Sequence, residues 1–275
     1  MQKLVQDKDF MLLLMCIKDK IGVDFSQYRL TSLKRRIDNR LKINNLSHYR
    51  EYIQFLNQNP AELVALAKLV TINLTAFFRD KPAWEVVEQQ VIPAIIEKKI
   101  LRKRRRITVW SAGTSSGEEA YTLAILFHKI LGDKIKQFNL KIYGTDIDEA
   151  SLNKANAGFY PANSMQYMPA SILREYFIVD ETGYEVSEKL REVTVFKYHD
   201  LVASEMFISM DFIVCRNVLI YFNRELQSLI LEKFHRTLHP GGFLMLGKTE
   251  SMIYKPQPDF LIYDSRERIY QKPKS

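Results

Sequence analysis

Residues 107–119 read ITVWSAGTSSGEE: an apolar, β-rich run, a turn of small residues, then two glutamates that open a helical pattern. Gly113 and Gly117 carry no Cβ and tolerate positive φ, so this turn can bring backbone close to a ligand. A cradle of that kind at a helix N-terminus usually serves phosphate, which Glu118 and Glu119 would repel. The chemistry that fits is a phosphate-free, positively charged cofactor. S-adenosylmethionine, with its adenosine, sulfonium and amino-acid tail, meets that description. Glu119 also has a plainer reading, because a carboxylate in a first helical turn complements the helix dipole.

Three further segments carry polar groups at strand ends, where ligands of open α/β sheets bind near the point of strand-order reversal. YGTDID (143–148) ends a strand at Asp146, a carboxylate able to accept from both hydroxyls of a ribose. The alternative for Asp146 is to cap the helix starting near Glu149, a role Asp148 fills equally well. His199-Asp200-Leu201 puts an acid where it could meet an adenine amino group. DFIVCRNVLIYF (211–222) sets Arg216 and Asn217 directly after an apolar strand. Upstream, TINLTAFFRD (71–80) interleaves Asn73, Thr75 and Arg79 with apolar residues, as a ligand-facing loop or an ordinary linker would.

These groups need a frame, and the periodicity supplies one. Up to about residue 70 the pattern is helical throughout, with Leu30, Leu33, Ile37 and Leu41 at helix spacing in a segment expected over 27–43. Short helices follow in 47–57 and 60–70, then a longer one over 82–98. The basic run Arg102 to Arg106 reads as a solvated connection. Strands and helices then alternate: strand 107–112, helix 117–131, strand 139–145, helix 149–157, and, later, strand 212–215, helix 223–238, strand 243–246 and terminal strands near Leu261 and Ile269. Alternation of this kind predicts an α/β fold with a mostly parallel sheet covered on both faces. Residues 158–200, with Gly158, Pro161, Pro169 and Gly183 among short β-like runs, read as an insertion.

Composition sets the outer bounds. At 275 residues and 47% hydrophobic, the chain can build one large or two modest cores. The apolar run Phe10 to Ile17 is too short to span a bilayer and follows Asp7 and Asp9, so neither anchor nor export signal is expected. Two cysteines far apart in sequence suit a reducing, cytoplasmic compartment, with no disulfide framework and no metal cluster. The net charge of +8, from 40 basic against 32 acidic residues, favours an acidic partner without choosing among nucleic acid, membrane surface and protein.

Taken together, TINLTAFFRD, VWSAGTSSGEEAYTLA, YGTDIDEASLNKANAGFY, DFIVCRNVLIYF and LHPGGFLMLGKTES, in this order and spacing, resemble the bacterial chemotaxis receptor methyltransferases of the CheR type. The resemblance runs from about Gly22 to about Tyr270. It implies a small all-helical domain (1–70), a linker that contributes to the cofactor site (71–81), and a Rossmann-like S-adenosylmethionine-dependent methyltransferase domain (82–275) with an antiparallel β-subdomain inserted at about 158–200. It also implies cofactor contacts from Asn73, Thr75, Arg79, Glu118, Asp146, Asp200, Leu201, Asn217 and Val218, to which the strand-end reading adds Gly113 and Arg216. Two departures stand out: Asp200, where relatives often have Asn, and Ala120, where they often have Pro.

The implied reaction is methyl transfer to glutamate side chains on the cytoplasmic helical domain of chemoreceptors, giving glutamate 5-O-methyl esters in chemotaxis adaptation and S-adenosylhomocysteine. A glutamate with an ordinary pKa of about 4.3 is already an ionised nucleophile at neutral pH, so no general base is required. None of the five histidines sits in a recognisable acid/base pairing. Rate is then a matter of positioning, with Arg79 steering the incoming carboxylate and Tyr221 holding it. A salt bridge with Asp80 and a core tyrosine are their plainer roles. At about 100° per residue, Arg29, Arg36 and Arg40 form one stripe beside the apolar face of 27–43, and the resemblance makes Arg36 and Arg40 receptor-binding. The expected protein is a monomer with no metal, no nucleic acid partner and no membrane insertion. An RNA methyltransferase and a non-catalytic module that kept the fold are the competing readings.

Overall fold

The computed structural model describes residues 2–22, 24–70, 75–166, 168–205, 207, 209–252 and 259–274. The chain divides into two compact units, one of residues 1–72 with 220–226, the other of residues 73–219 with 227–275.

The first unit is helical: α1 (Gln2–Ile21), α2 (Leu30–Ile43), α3 (Tyr49–Gln58) and α4 (Pro60–Val70). Phe10, Leu13, Leu14 and Ile17 of α1 recur at helical spacing and are buried with Leu33, Ile37 and Leu41 of α2 and Tyr52, Leu56 and Leu66. Each such side chain contributes roughly 1.5–3 kcal/mol when fully buried. α2 starts later than its periodicity predicts, because Asp24 accepts from the Ser26 amide at 2.9 Å and folds 25–27 into a separate 3₁₀ turn. Arg29 is therefore the N-cap residue, in extended geometry, rather than part of a helical stripe. Leu30 is exposed rather than core. Residues 220–226 complete this unit: Phe222 pairs with Tyr28 in an isolated antiparallel bridge, and their rings meet edge to face at 4.9 Å.

The second unit begins with α5 (Lys81–Val86), a π-helical turn (Val87–Val91) and α6 (Ile92–Leu101). Then come β1 (Arg106–Ala112), α7 (Glu118–Leu131), β2 (Asn139–Asp146), α8 (Glu149–Ala157), β3 (Phe159–Tyr160), α9 (Ala170–Tyr176), β4 (Phe177–Val179), β5 (Tyr184–Val186) and α10 (Glu188–Arg191). β6 (Thr194–Tyr198), β7 (Met210–Cys215), α11 (Arg224–Thr237), β8 (Leu238–Leu246), β9 (Leu261–Asp264) and β10 (Ile269–Gln271) complete the order.

Seven strands form one sheet in the order β6-β2-β1-β7-β8-β10-β9. The first five are parallel; β10 runs antiparallel to β8 and to β9. The parallel part has the doubly wound order in which β1 is central and strand order reverses between β1 and β7. All six residues of β7 and six of seven in β1 are buried, which is why both read as continuous apolar runs rather than alternating ones.

The segment expected as an insertion at about 158–200 divides in two. β3, β5 and β4 make a separate three-stranded antiparallel sheet, whereas β6 pairs in parallel with β2, from Ile142–Thr194 to Asp146–Tyr198, and belongs to the large sheet. Lys197 and Tyr198 are exposed on this edge strand, so its pattern resembles that of the smaller sheet. Among the described residues, no helix is long and apolar enough to cross a membrane.

Candidate active site at the carboxyl edge of the sheet

The parallel register brings the carboxyl ends of β1, β2, β6, β7 and β8 to one edge. The first four are followed by residues the spacing singles out, 113–118, 146–148, 199–201 and 216–218, and the fifth by 247–250. The turn after β1 enters α7 through Gly113 (φ +77°), Ser115 (φ +53°) and Gly117 (φ +95°). A Cβ on Gly113 would run into the side chain of Val218, and one on Gly117 would come within 2.7 Å of the Ala155 Cβ. Both glycines are thus required by close approach as well as by backbone conformation.

Asp146 ties this turn to the next strand. Its Oδ2 accepts from the Ser115 amide at 2.8 Å and its Oδ1 from the Asp148 amide at 3.0 Å. A carboxylate oxygen can accept more than one hydrogen bond, so the same group can also take a ligand hydroxyl. Capping of α8 falls to Asp148, which accepts from the Ala150 amide at 3.0 Å and the Ser151 hydroxyl at 2.9 Å. The neighbouring strand stays in step, since the His199 amide donates to the Asp146 carbonyl at 3.0 Å. Asp200 turns its carboxylate to its own backbone, accepting from the Val202 amide at 2.7 Å and the Ala203 amide at 3.3 Å, and Leu201 is buried.

The two glutamates part company. Glu118 is buried and its carboxylate accepts from the Ser116 hydroxyl at 2.8 and 3.0 Å. Glu119 points inward, accepting from the Ser111 hydroxyl at 2.8 Å and lying 3.8 Å from Arg216 Nη1. Burial raises the pKa of Glu118, Glu119 and Asp146 above the ordinary carboxylate range; the Arg216 charge at Glu119, and N–H and O–H donors at all three, only partly offset it. Among the described residues no salt bridge reaches Glu118 or Asp146. The hydroxyls of Thr114 and Ser115, in the same turn, are buried without a hydrogen-bond partner among the described residues. Carboxylates and hydroxyls left in this condition suit a cationic, hydroxyl-bearing molecule, so the donor set fits S-adenosylmethionine.

Arg216 takes a different place from the one its position after β7 suggests. Its guanidinium is buried, pairs with Asp80, donates to the Arg79 carbonyl at 3.1 Å and lies over the Trp84 ring at 5.6 Å. Trp84 Nε1 donates to the same Arg79 carbonyl at 2.8 Å. Arg216 and Trp84 therefore clamp the backbone of the 78–80 turn, and Asp80 is a partner of Arg216. Thr75 is half-buried ahead of this turn, and Asn73 lies outside the described residues.

Glu250 is a residue the spacing does not single out. It is buried, and its Oε2 accepts from the Asn217 amide at 3.0 Å and the Gly247 amide at 2.6 Å. A Cβ on Gly247 would lie 2.8 Å from that oxygen. The clamp holds Asn217 at φ +61°, and Phe78 (φ +53°) and Asp80 (φ +61°) flank Arg79 in the same left-handed region. Left-handed non-glycine residues cost about 1–3 kcal/mol each and collect at ligand sites. The signal that would have found Glu250 is the one used for Asp146: an acid just beyond a buried parallel strand.

Two descriptions of known families match this chain: "CheR methyltransferase, SAM binding domain" over residues 73–269 and "CheR methyltransferase, all-alpha domain" over residues 8–71. The chain belongs to the CheR methyltransferase family. A chemotaxis protein methyltransferase of Listeria innocua is 34% identical over 247 residues, covering 90% of this chain and 91% of that one. One from Borreliella burgdorferi is 29% identical, covering 87% of each. An uncharacterized 104.1 kDa protein of Rhodobacter capsulatus is 32% identical over 90% of this chain, which spans only 26% of that larger protein. Solved structures are more distant: magnesium protoporphyrin IX methyltransferase from Synechocystis PCC 6803, with bound SAH, shares 16% identity and a TM-score of 0.31 over 64% of this chain and 62% of that one.

The CheR resemblance also singled out residues of the helical unit. There Arg36 and Tyr221, 185 positions apart, meet: the Arg36 guanidinium lies 5.3 Å from the centre of the Tyr221 ring, and the Tyr221 carbonyl accepts from the Arg29 amide at 2.8 Å. Arg40 is engaged elsewhere. Its Nε donates to Glu62 Oε1 at 2.8 Å, its Nη2 pairs with the other oxygen, and Tyr52 donates to the same carboxylate at 2.7 Å. Arg40, expected to face the receptor, is engaged within the unit by an ion pair that holds α2 to α4.

Proposed function

We propose that this CheR-family protein methylates glutamate side chains of chemoreceptors, converting the carboxylate to its 5-O-methyl ester. The observation that carries the reading is the pair Glu118 and Asp146: two buried carboxylates at the carboxyl ends of β1 and β2 with no salt bridge among the described residues. They suit a cationic methyl donor. When bound, S-adenosylmethionine supplies an electrophilic methyl group on a sulfonium.

In this reading Glu118 and Asp146 hold the donor by charge and by hydrogen bonds, and Gly113 and Gly117 let the turn approach it. Asn73, Thr75, Arg79, Asp200, Leu201, Asn217 and Val218 complete the cofactor contacts. Arg216 and Glu250 act through others, by fixing the backbone of 78–80 and of Asn217. The glutamate substrate needs no base, being ionised at neutral pH; it needs orientation, which in well-arranged systems lowers a barrier by roughly 7–11 kcal/mol. Arg79 steers the acceptor, Tyr221 holds it by its hydroxyl, and Arg36 offers a cation to acids of the receptor helix. A monomer in the cytoplasm, meeting the helical cytoplasmic domain of a receptor, is the setting this implies.

The test is incubation with methyl-labelled S-adenosylmethionine and receptor-containing membranes. Label should enter receptor protein and be released by mild base as methanol; base-stable label would refute ester formation. In the same assay Arg36→Ala should lower receptor methylation severalfold while the affinity for S-adenosylhomocysteine stays constant.

A further inference from the structure

A cavity lies at the amino end of the same strands. It has a volume of about 620 Å³ and is lined by Lys99, Arg104, Arg105, Arg106, Thr108, Ser209 and His239. Its shape comes from an irregular register. Between Met210–Leu238 and Phe212–Phe243, β7 advances two residues while β8 advances five, so three residues of β8 swell outward and His239 becomes part of the wall. Ser209, at φ +66°, closes the other side, and its carbonyl accepts from the Thr108 hydroxyl at 2.6 Å.

The charge in this cavity is one-sided. The nearby acid is Asp211, behind the lining, and its carboxylate is already taken by Lys99 Nζ at 2.7 Å and the Thr108 amide at 2.9 Å. That ion pair is almost fully buried and neutral as a unit. Arg104, Arg105 and Arg106 add three guanidiniums on exposed positions, with Lys98 nearby. Burial lowers the pKa of His239, and Lys99, Lys98 and Arg104 lower it further against the single opposing charge of Asp211. Arg104 to Arg106, the last part of the run 102–106 that reads as a solvated connection, thus form the rim of a concave site. A flat basic face would favour a polynucleotide or a bilayer. Guanidiniums gathered around a cavity within the usual range for small-molecule sites, about 300–1,000 Å³, favour a compact anion with bidentate acceptor geometry.

We propose that this cavity binds a small soluble molecule carrying two or more phosphate charges, at a site separate from the carboxyl edge. Arg104 and Arg106 bind phosphate oxygens, Ser209 offers a hydroxyl donor, and Lys99, neutralised by Asp211, forms part of the wall.

The experiment is calorimetric titration of the full-length protein with inorganic tripolyphosphate at low ionic strength, where screening is weak. One site should bind with the same affinity in the presence and absence of saturating S-adenosylhomocysteine. The double variant Arg104→Ala, Arg106→Ala should weaken it on the order of tenfold or more while keeping its melting temperature and its S-adenosylhomocysteine affinity. A control variant with Lys20→Ala and Lys42→Ala should bind as the parent does. Absence of tripolyphosphate binding, displacement by S-adenosylhomocysteine, or an equal loss in the control would overturn the proposal. So would capture by phosphatidylglycerol vesicles that depends on the two arginines while tripolyphosphate does not bind.

Discussion

The two ends of the parallel strands bury acids in opposite ways. At the amino end Asp211 is almost fully buried beside Lys99 at 2.7 Å; at the carboxyl end Glu118 and Asp146 are buried with hydrogen-bond donors but, among the described residues, without a salt bridge. Desolvation acts on both. At one end the fold supplies the opposite charge itself; at the other, burial raises the pKa values of Glu118 and Asp146, and hydrogen-bond donors only partly offset it. Perturbed carboxylates are candidates for functional sites, and the lack of an ion pair among the described residues sets Glu118 and Asp146 apart from Asp211 on the same sheet.

The largest effect is expected from breaking the paired end. Asp211→Asn would strand the Lys99 ammonium in the interior, a loss of about 3–5 kcal/mol in unfolding free energy, read by urea titration. Glu118→Gln should do the reverse. It removes a charge the apo protein holds at a cost, so its stability should match or slightly exceed that of the parent. Its affinity for S-adenosylmethionine should fall by roughly 1.5–3 kcal/mol, as for a lost hydrogen bond to a charged group. Similar unfolding curves for the two variants would dissolve the distinction between the ends.

The smallest effect sharpens it. Raised carboxyl pKa values mean that the folded apo protein binds more protons than the unfolded chain, so this part of its stability falls as pH rises from the ordinary 4.5 of Glu118 through the raised value. A bound cation stabilises the ionised form, so uptake of S-adenosylmethionine should release a fraction of a proton and tighten as pH rises across that window. S-adenosylhomocysteine, without the sulfonium charge, should release less. Calorimetry in two buffers of different ionisation enthalpy measures both; equal release by the two ligands would place the sulfonium away from these carboxylates.

What could be read from sequence was what is set locally. The helix over 149–157 has both ends legible, because Asp148 caps it and Gly158, at φ +62°, ends it. The placement of Gly113, Glu118 and Asp146 at the carboxyl edge of the sheet was legible because each follows or ends a buried strand. The misreadings concern partners remote in sequence. Arg216 follows a strand as a ligand-facing residue would, yet its partner Asp80 lies 136 residues earlier. Arg40 sits on the stripe beside an apolar face, and nothing in that spacing reveals Glu62 on another helix. β6 carries the exposed pattern of an edge strand, which gives no hint of which sheet it joins. Glu250 is an acid near glycines until the Asn217 amide is seen to donate to it.

The piece of late chain that completes the helical unit has a consequence for biosynthesis. Tyr28 already touches the nearby Phe25 ring, but it gains Phe222, and Arg36 gains the Tyr221 ring, only when residues 221 and 222 have left the ribosome. Domains that are contiguous can fold as they emerge; this one draws its core from residues 10–66 but makes its last ring contacts only after β1 to β7 of its successor are translated. A fragment cut at residue 72 would accordingly lack Tyr221 and Phe222, and water would take their place against Arg36 and one edge of Tyr28.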